Sequence, residues 1–232
     1  MLKFLYDLVL LFPSPSFFSF LVFILIFEKS ANSLHSIYMA SQRVLMMAEL
    51  NKIRTLVGAE LFPVIDQNYY SRAADMTIGP QFPAVLKISA AHAGFGKTIC
   101  QDHHHWADLR SVVAVTPHYT TAEVLLDGEY DLRIQRIAAG PGQETNYRVM
   151  RRISISGNWK TNTGTSMVDI IPLTPSFKLW ADLAAQIFGG LDICAVDVIH
   201  DRKSGRDFIL EVNDTAIGLH PDTEIYETDS GL

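Results

Sequence analysis

Asp192–Asp214 reads DICAVDVIHDRKSGRDFILEVND, two apolar runs on either side of the polar stretch HDRKSGRD. That layout is a β-hairpin signal. A pairing symmetric about Ser204 sets Asp197 opposite Glu211. Asn213, two residues on, shares their face because side chains alternate along a strand. Like charges directly opposite each other destabilise a ladder, and a half-buried carboxylate costs free energy unless it is paired or metal-bound. Two acids and an amide on one face therefore ask for a cation. Mg²⁺ or Ca²⁺ takes oxygen ligands of this kind, so Asp197, Glu211 and Asn213 are the candidate metal ligands.

At 232 residues the chain suits one large domain or two small ones, and 48% apolar residues can furnish a core. A net charge of −6 with no basic stripe argues against a nucleic-acid partner. Cys100 and Cys194 are far apart and lie in apolar or strand-like runs, so they suggest neither a disulfide framework nor a metal spacing. A reducing, cytoplasmic setting follows.

Residues 1–31 stand apart. Leu8–Phe27 carries no charge and is long enough to cross a bilayer, but PSPS interrupts it and leaves Phe17–Phe27 as the unbroken part. Glu28–Asn32 offers no good small-x-small cleavage site, and the flanking charges cancel. A membrane segment, a signal peptide and a mis-assembled or vestigial N-terminus remain open readings.

After Ser30 the pattern becomes a mixture of helices and strands. Gln42–Val57 predicts a helix, with Leu45, Met46, Leu50, Ile53 and Val57 apolar and Gly58 as the stop. FPVIDQ (62–67) predicts a strand. FPAVLKIS (82–89) and KTIC (97–100) predict a strand pair around the loop AHAGFGK, and Asp102 caps a helix starting at HHHW. TTAEVLL, YDLRIQRIA and YRVMRRIS predict three further strands, and GNWKTNTG a loop. SFKLWADLAAQIFGG predicts an amphipathic helix closed by its glycine pair. Residues 221–232 form a polar, acidic tail.

Several cationic residues complement the acids. The loop AHAGFGK, with His92, Gly94, Gly96 and Lys97, has glycines that let backbone approach phosphates, but it lacks the length of a Walker loop. An ordinary hairpin turn would look the same. Lys87 ends the apolar run PAVLK, where it either snorkels to solvent or meets an anion. Arg133 lies inside a strand pattern, and Lys160 and Asn162 lie in GNWKTNTG. Arg151 and Arg152 are expected on a solvated face. Cations spread over several strands beside a carboxylate pair fit a metal–polyphosphate site. The run His103–His105 points its side chains in different directions on a helix and makes a poor metal site. No Ser-His-Asp or Cys-His motif supports nucleophilic catalysis.

The order strand lysine, glycine loop, Glu123, the Asp131-x-Arg133 strand, NWKTN, then Asp197 and LEVN resembles the ATP-grasp fold. More narrowly, NSLHSIY, FPVIDQNYY, AHAGFGK, SISGNWKTNTG and FGGLDICAVD resemble the central domain of synapsins. The resemblance covers about Asn32 to Gly218, and we take 32–220 as the ATP-binding domain. It implies an α+β architecture in which two antiparallel-sheet subdomains clasp ATP. By the same resemblance Lys87, the glycine loop with Lys97, and Lys160 hold phosphates, and Glu123 and Leu126 occupy the adenine hinge. Asp131 falls near the ribose, and Asp197 and Glu211 ligate Ca²⁺ or Mg²⁺. It further implies a regulatory ATP-binding protein of the presynaptic vesicle membrane, a homodimer with a cytoskeletal partner, without established turnover.

The departures are specific. Arg43, in QRVLMM, stands where the family usually has a nucleotide-contacting lysine, which keeps the charge but changes the geometry. The family's preceding α/β subdomain has no counterpart, and its closing helix is not recognisable after Ile217. An ATP-grasp carboxylate–amine ligase and a truncated fragment that binds nothing are the alternative readings.

Overall fold

The computed structural model describes residues 30–90, 95–140, 144–155, 166–215 and 217. Among them are helices α1 (Leu34–Ser41), α2 (Arg43–Val57), α3 (His103–Val113) and α4 (Pro175–Ala184). The strands are β1 (Gln67–Tyr70), β2 (Ala84–Ile88), β3 (Lys97–Cys100), β4 (Thr120–Val124), β5 (Gly128–Ile137), β6 (Asn146–Ser154), β7 (Ser166–Ile171), β8 (Ile193–Asp201) and β9 (Arg206–Asn213). They form two sheets, a small one in the order β1-β4-β2-β3 and a larger one in the order β7-β6-β5-β8-β9. Every pairing within them is antiparallel.

The β8–β9 hairpin departs from symmetry about Ser204. Near the turn Asp201 pairs with Arg206 and Val198 with Ile209, which centres the turn just before Ser204. A bulge at Leu210 then adds one residue to β9, and beyond it Asp197 faces Glu211 and Ala195 faces Asn213. Had the turn register continued, Leu210 would face Asp197 and Glu211 would sit against buried Val196. One slipped residue exchanges the two faces of a strand. The bulge therefore keeps the acids together on the polar face and Val212 in the core.

Alternation sorts the large sheet into two faces. Leu132, Ile134, Val149, Val196, Val198 and Ile209 form a buried core with Met46, Met47 and Leu50 of α2 and Trp180, Ala181 and Ala184 of α4. The other face carries Arg133, Asp197, Glu211 and Asn213. A second, smaller core under the small sheet joins Tyr70, Leu86, Cys100 and Ala122 to Trp106 of α3. The Trp106 indole donates to the Met76 carbonyl at 2.9 Å, so its one polar group is satisfied in that core.

The helix starts carry their own signals. Asp102 accepts from the His105 amide at 2.9 Å, and Thr174 accepts from the Phe177 amide at 3.2 Å with Pro175 in the first turn. Gly58 stops α2 at φ +96, a value that favours glycine.

Two expectations need correction, and two elements were not expected. FPVIDQ is not a strand: Val64 makes an isolated bridge to Ile209, and ladder pairing begins only at the last residue of the run, Gln67, opposite Glu123. The pair Gly189–Gly190 does not cap α4. That helix ends at Ala184, and the glycines, at φ +88 and +120, instead close a following 3₁₀ turn. Helix α1 and strand β7 lay outside the predicted elements.

Candidate functional site

The polar face of the large sheet is wired in a row. Arg133, Asp197 and Glu211 occupy directly opposed positions on β5, β8 and β9. Arg133 donates from Nε to Asp197 Oδ1 and from Nη2 to Oδ2, each at 2.8 Å. Asn213 Nδ2 donates to Oδ2 at 2.8 Å, and Arg152 Nη2 reaches Oδ1 at 3.4 Å. Asp197 is buried and accepts four hydrogen bonds, about the capacity of a carboxylate. Bonding to Asp197 pushes the Arg133 guanidinium further up, against the opposing effect of its burial. Arg152 was expected on a solvated face. Its place opposite Asp131 on the neighbouring strand brings it onto the polar face instead, while Arg151 pairs with Asp169.

Glu211 has a different partner. Arg43, the first residue of α2, is buried and donates from Nη2 to Glu211 Oε2 at 2.5 Å. The same side chain donates from Nε and Nη2 to the Ala90 carbonyl at 3.3 Å. Ala90 follows β2, so Arg43 ties the small sheet to the large one. Burial alone would push the Glu211 carboxyl up, but the charges of Arg43, Lys97 and Lys87 outweigh it and hold the group at about 2.

The small sheet contributes Lys87 of β2, directly opposite both Lys97 of β3 and Thr121 of β4. Lys87 is buried and pairs with Glu123 Oε1 at 2.5 Å, and Gln67 Nε2 donates to Oε2 of the same acid at 2.5 Å. Desolvation pulls the Lys87 ammonium below its ordinary value, opposed by the charge of Glu123. Arg43, Glu211 and Lys97 also act on Lys87, so both sheets place charge in one region. The chain then passes through Leu125–Asp127 from β4 to β5, and Leu126 packs on the main core at this crossing. Asp131 lies one turn of the pleat from Arg133 and acts on its charge.

Of the expected site residues, Arg43, Lys87, Lys97, Glu123, Arg133, Asp197, Glu211 and Asn213 thus converge, with Leu126 at the crossing between the sheets. Gly96, at φ +67, precedes β3, and its carbonyl accepts from the Ile88 amide at 2.8 Å. His92, Gly94, Lys160 and Asn162 lie outside the described residues. Besides Arg152, the sequence reading missed Gln67, Thr121 and Tyr119; none of these stands out by residue type, and only pairing to β2 and β4 places them.

The types of Asp197, Glu211 and Asn213 suit a hard divalent ion. Their bonding does not, because Asp197 is saturated by two guanidiniums and an amide and Glu211 is held by a third guanidinium. Among the described residues no group of three or more His, Cys, Asp or Glu side chains is placed to hold a metal ion. The His103–His105 run is no exception.

Two antiparallel sheets with charge gathered between them have clear counterparts among solved structures. N5-carboxyaminoimidazole synthetase from Staphylococcus aureus, complexed with ADP, superposes with a TM-score of 0.60 at 12% identity, over 89% of this chain and 52% of that one. Carboxyaminoimidazole ribonucleotide synthase from Aspergillus clavatus, complexed with ATP, gives 0.57 at 14% identity, over 79% and 47%. VanG D-Ala:D-Ser ligase from Enterococcus faecalis gives 0.56 at 13% identity, over 78% and 54%. The fold is ATP-grasp, of the α+β class.

Residues 32–229 match the family described as "Synapsin, ATP binding domain". Synapsin of Drosophila melanogaster is 32% identical over 199 residues, covering 84% of this chain and 19% of that protein. The chain belongs to the synapsin ATP-binding domain family. It spans about a fifth of the length of the fly protein and about half of each of these three solved structures.

Proposed function

We propose that this chain binds ATP between its two sheets as a regulatory module rather than for turnover. The observation that carries the proposal is Lys87, an ammonium buried where Arg43 and Lys97 add like charge. A buried cation among other cations costs free energy unless an anion offsets it. Glu123 offsets Lys87 and Glu211 offsets Arg43, which leaves Lys97 and the unengaged Nη1 of Arg43, and a polyphosphate is the anion that suits that remainder. Lys87, Lys97 and Arg43 are the phosphate donors in this reading, with Lys160 and Asn162 and the loop residues His92, Gly94 and Gly96 alongside. Glu123 and Leu126 are set at the strand crossing for the base, and Asp131 lies nearest the sugar. Arg133 acts by orienting Asp197.

The divalent ion expected at Asp197, Glu211 and Asn213 is not routed through this proposal, since guanidiniums already hold both acids. Family membership extends the proposal to vesicle association at the presynaptic membrane, regulation of neurotransmitter release, a cytoskeletal partner and a homodimeric state. Among the described residues no helix is long and apolar enough to cross a membrane. The expected segment Leu8–Phe27 lies outside them.

The test is a melting curve of the full chain with ATP plus chelator, ATP plus Mg²⁺ and ATP plus Ca²⁺. A ligand of the folded state stabilises by about 2.7 kcal/mol at a hundredfold over its Kd, so a rise in Tm is expected. A cooperative melt that no nucleotide mixture shifts would overturn the proposal. Release of ADP with carboxylate and amine substrates would make the protein a ligase instead.

A further inference from the structure

Arg43 is an unusual residue for its position. It opens α2, where the helix dipole disfavours a cation, and it is buried. Two contacts account for part of that placement, the Glu211 carboxylate and the Ala90 carbonyl. They leave Nη1 buried with no hydrogen-bond partner. The Tyr119 hydroxyl lies within range of the Arg43 charge, and the Thr121 hydroxyl, on the residue directly opposite Lys87, is also buried without a partner. Orphaned buried groups of this kind cost free energy, and charged ones cost more. Their grouping on the face that carries Lys87 marks the place of an oxygen-rich ligand.

A divalent ion in a nucleotide site bridges a protein carboxylate to phosphate oxygens. Arg43 has the same two-sided arrangement, with Nη2 on Glu211 and Nη1 unengaged. The planar fork of a guanidinium serves two acceptors at once, which a single ammonium does less well. We propose that Arg43 stands in for the divalent ion between Glu211 and the phosphates of the bound nucleotide, so that this chain holds ATP without metal. The inference rests on the nucleotide reading above and deepens it. The asymmetry between the acids agrees with it: Asp197 is saturated by Arg133, Arg152 and Asn213, which leaves its carboxylate without a free lone pair to share with an ion.

Calorimetric titration of ATP into the full chain, in chelator and in Mg²⁺ or Ca²⁺, tests this with the parent, Arg43→Ala, Arg43→Lys and Glu211→Gln. The parent is expected to bind in chelator within about threefold of its affinity with metal. Arg43→Ala loses at least about tenfold in chelator, the scale of a charged hydrogen bond. Arg43→Lys falls between the two. Glu211→Gln keeps the shape of the side chain but removes the charge that holds Arg43, and is expected to bind in chelator more weakly than the parent. Parent binding that disappears in chelator overturns the inference while leaving the nucleotide site intact. So does an Arg43→Ala protein, folded by its melt, that binds metal-free ATP like the parent. Absence of binding by the parent under every condition overturns the nucleotide site and this inference with it.

Discussion

Arg133 on β5 lies directly opposite Asp197 on β8 and forks onto both of its carboxylate oxygens at 2.8 Å. The acid is buried, so removing the guanidinium would strand a charge rather than merely delete a contact. Arg133→Met should therefore cost about 3–5 kcal/mol in urea denaturation. The double variant Arg133→Met with Asp197→Leu should recover most of that loss, because replacing both charges removes the stranded ion. A loss under about 1 kcal/mol for the single variant would mean that Arg152 and Asn213 alone satisfy Asp197.

The facing of Asp197 and Glu211 was legible from alternation within one hairpin, yet the symmetric turn that suggested it is not the one present. The turn sits before Ser204, and the Leu210 bulge restores the expected facing. Bulges leave little trace in residue type, so the two deviations offset each other unseen. The arginine partners of the acids are not legible for a related reason. Like charges face to face do demand a cation, but nothing local says whether an ion or a distant arginine supplies it. Arg43 meets Glu211 across 168 positions of sequence. Arg152 was assigned to solvent because a lone strand does not show which face its neighbours make polar. Helices α2 and α3 were readable because their stop and cap, Gly58 and Asp102, act locally.

Acid should expose the Arg43–Glu211 pair. The Glu211 carboxyl titrates at about 2 in the folded protein against an ordinary 4.5, so the folded state favours the ionised form. Its contribution, on the order of 3 kcal/mol, is fully present above the ordinary value and is lost as pH falls through the folded one. Glu211→Gln lacks that titration and leaves Arg43 without its counter-charge. The stability gap between parent and variant, read from urea midpoints without nucleotide, should be widest near neutrality. It should narrow below pH 4.5 and close near pH 2. A gap independent of pH would show that Glu211 does not titrate in that window.

Asn32 holds the start of β8 by imitating a strand. Its Nδ2 donates to the Ile193 carbonyl at 2.7 Å, and its Oδ1 accepts from the Ile193 amide at 2.9 Å. The side chain is only 1% exposed, so water cannot replace either bond. Asn32→Ala should cost about 2–4 kcal/mol, since two buried backbone groups lose their partners. Asn32→Asp keeps the acceptor but sets a carboxylate against the carbonyl, and should be at least as costly. Hydrogen exchange at the Ile193 amide gives an independent reading, with faster exchange in both variants. Unchanged protection would mean that the amide finds another acceptor.

Lys87 and Glu123 test whether the small sheet serves the fold or the ligand. The ammonium and the carboxylate meet in a buried pair, and Gln67 takes the second oxygen of the acid. Lys87→Met leaves Glu123 buried with the amide alone, which should cost about 3 kcal/mol of stability. Adding Glu123→Gln removes the stranded charge and should return most of it. Nucleotide affinity should not follow the same course. If Lys87 faces phosphate, the double variant regains its fold but stays roughly tenfold or more weaker for ATP, because the donor is still missing. Titration of ATP into the refolded double variant separates the two roles. Affinity that recovers together with stability would confine Lys87 to holding β2 against β4, and the phosphate donors would then be Arg43 and Lys97.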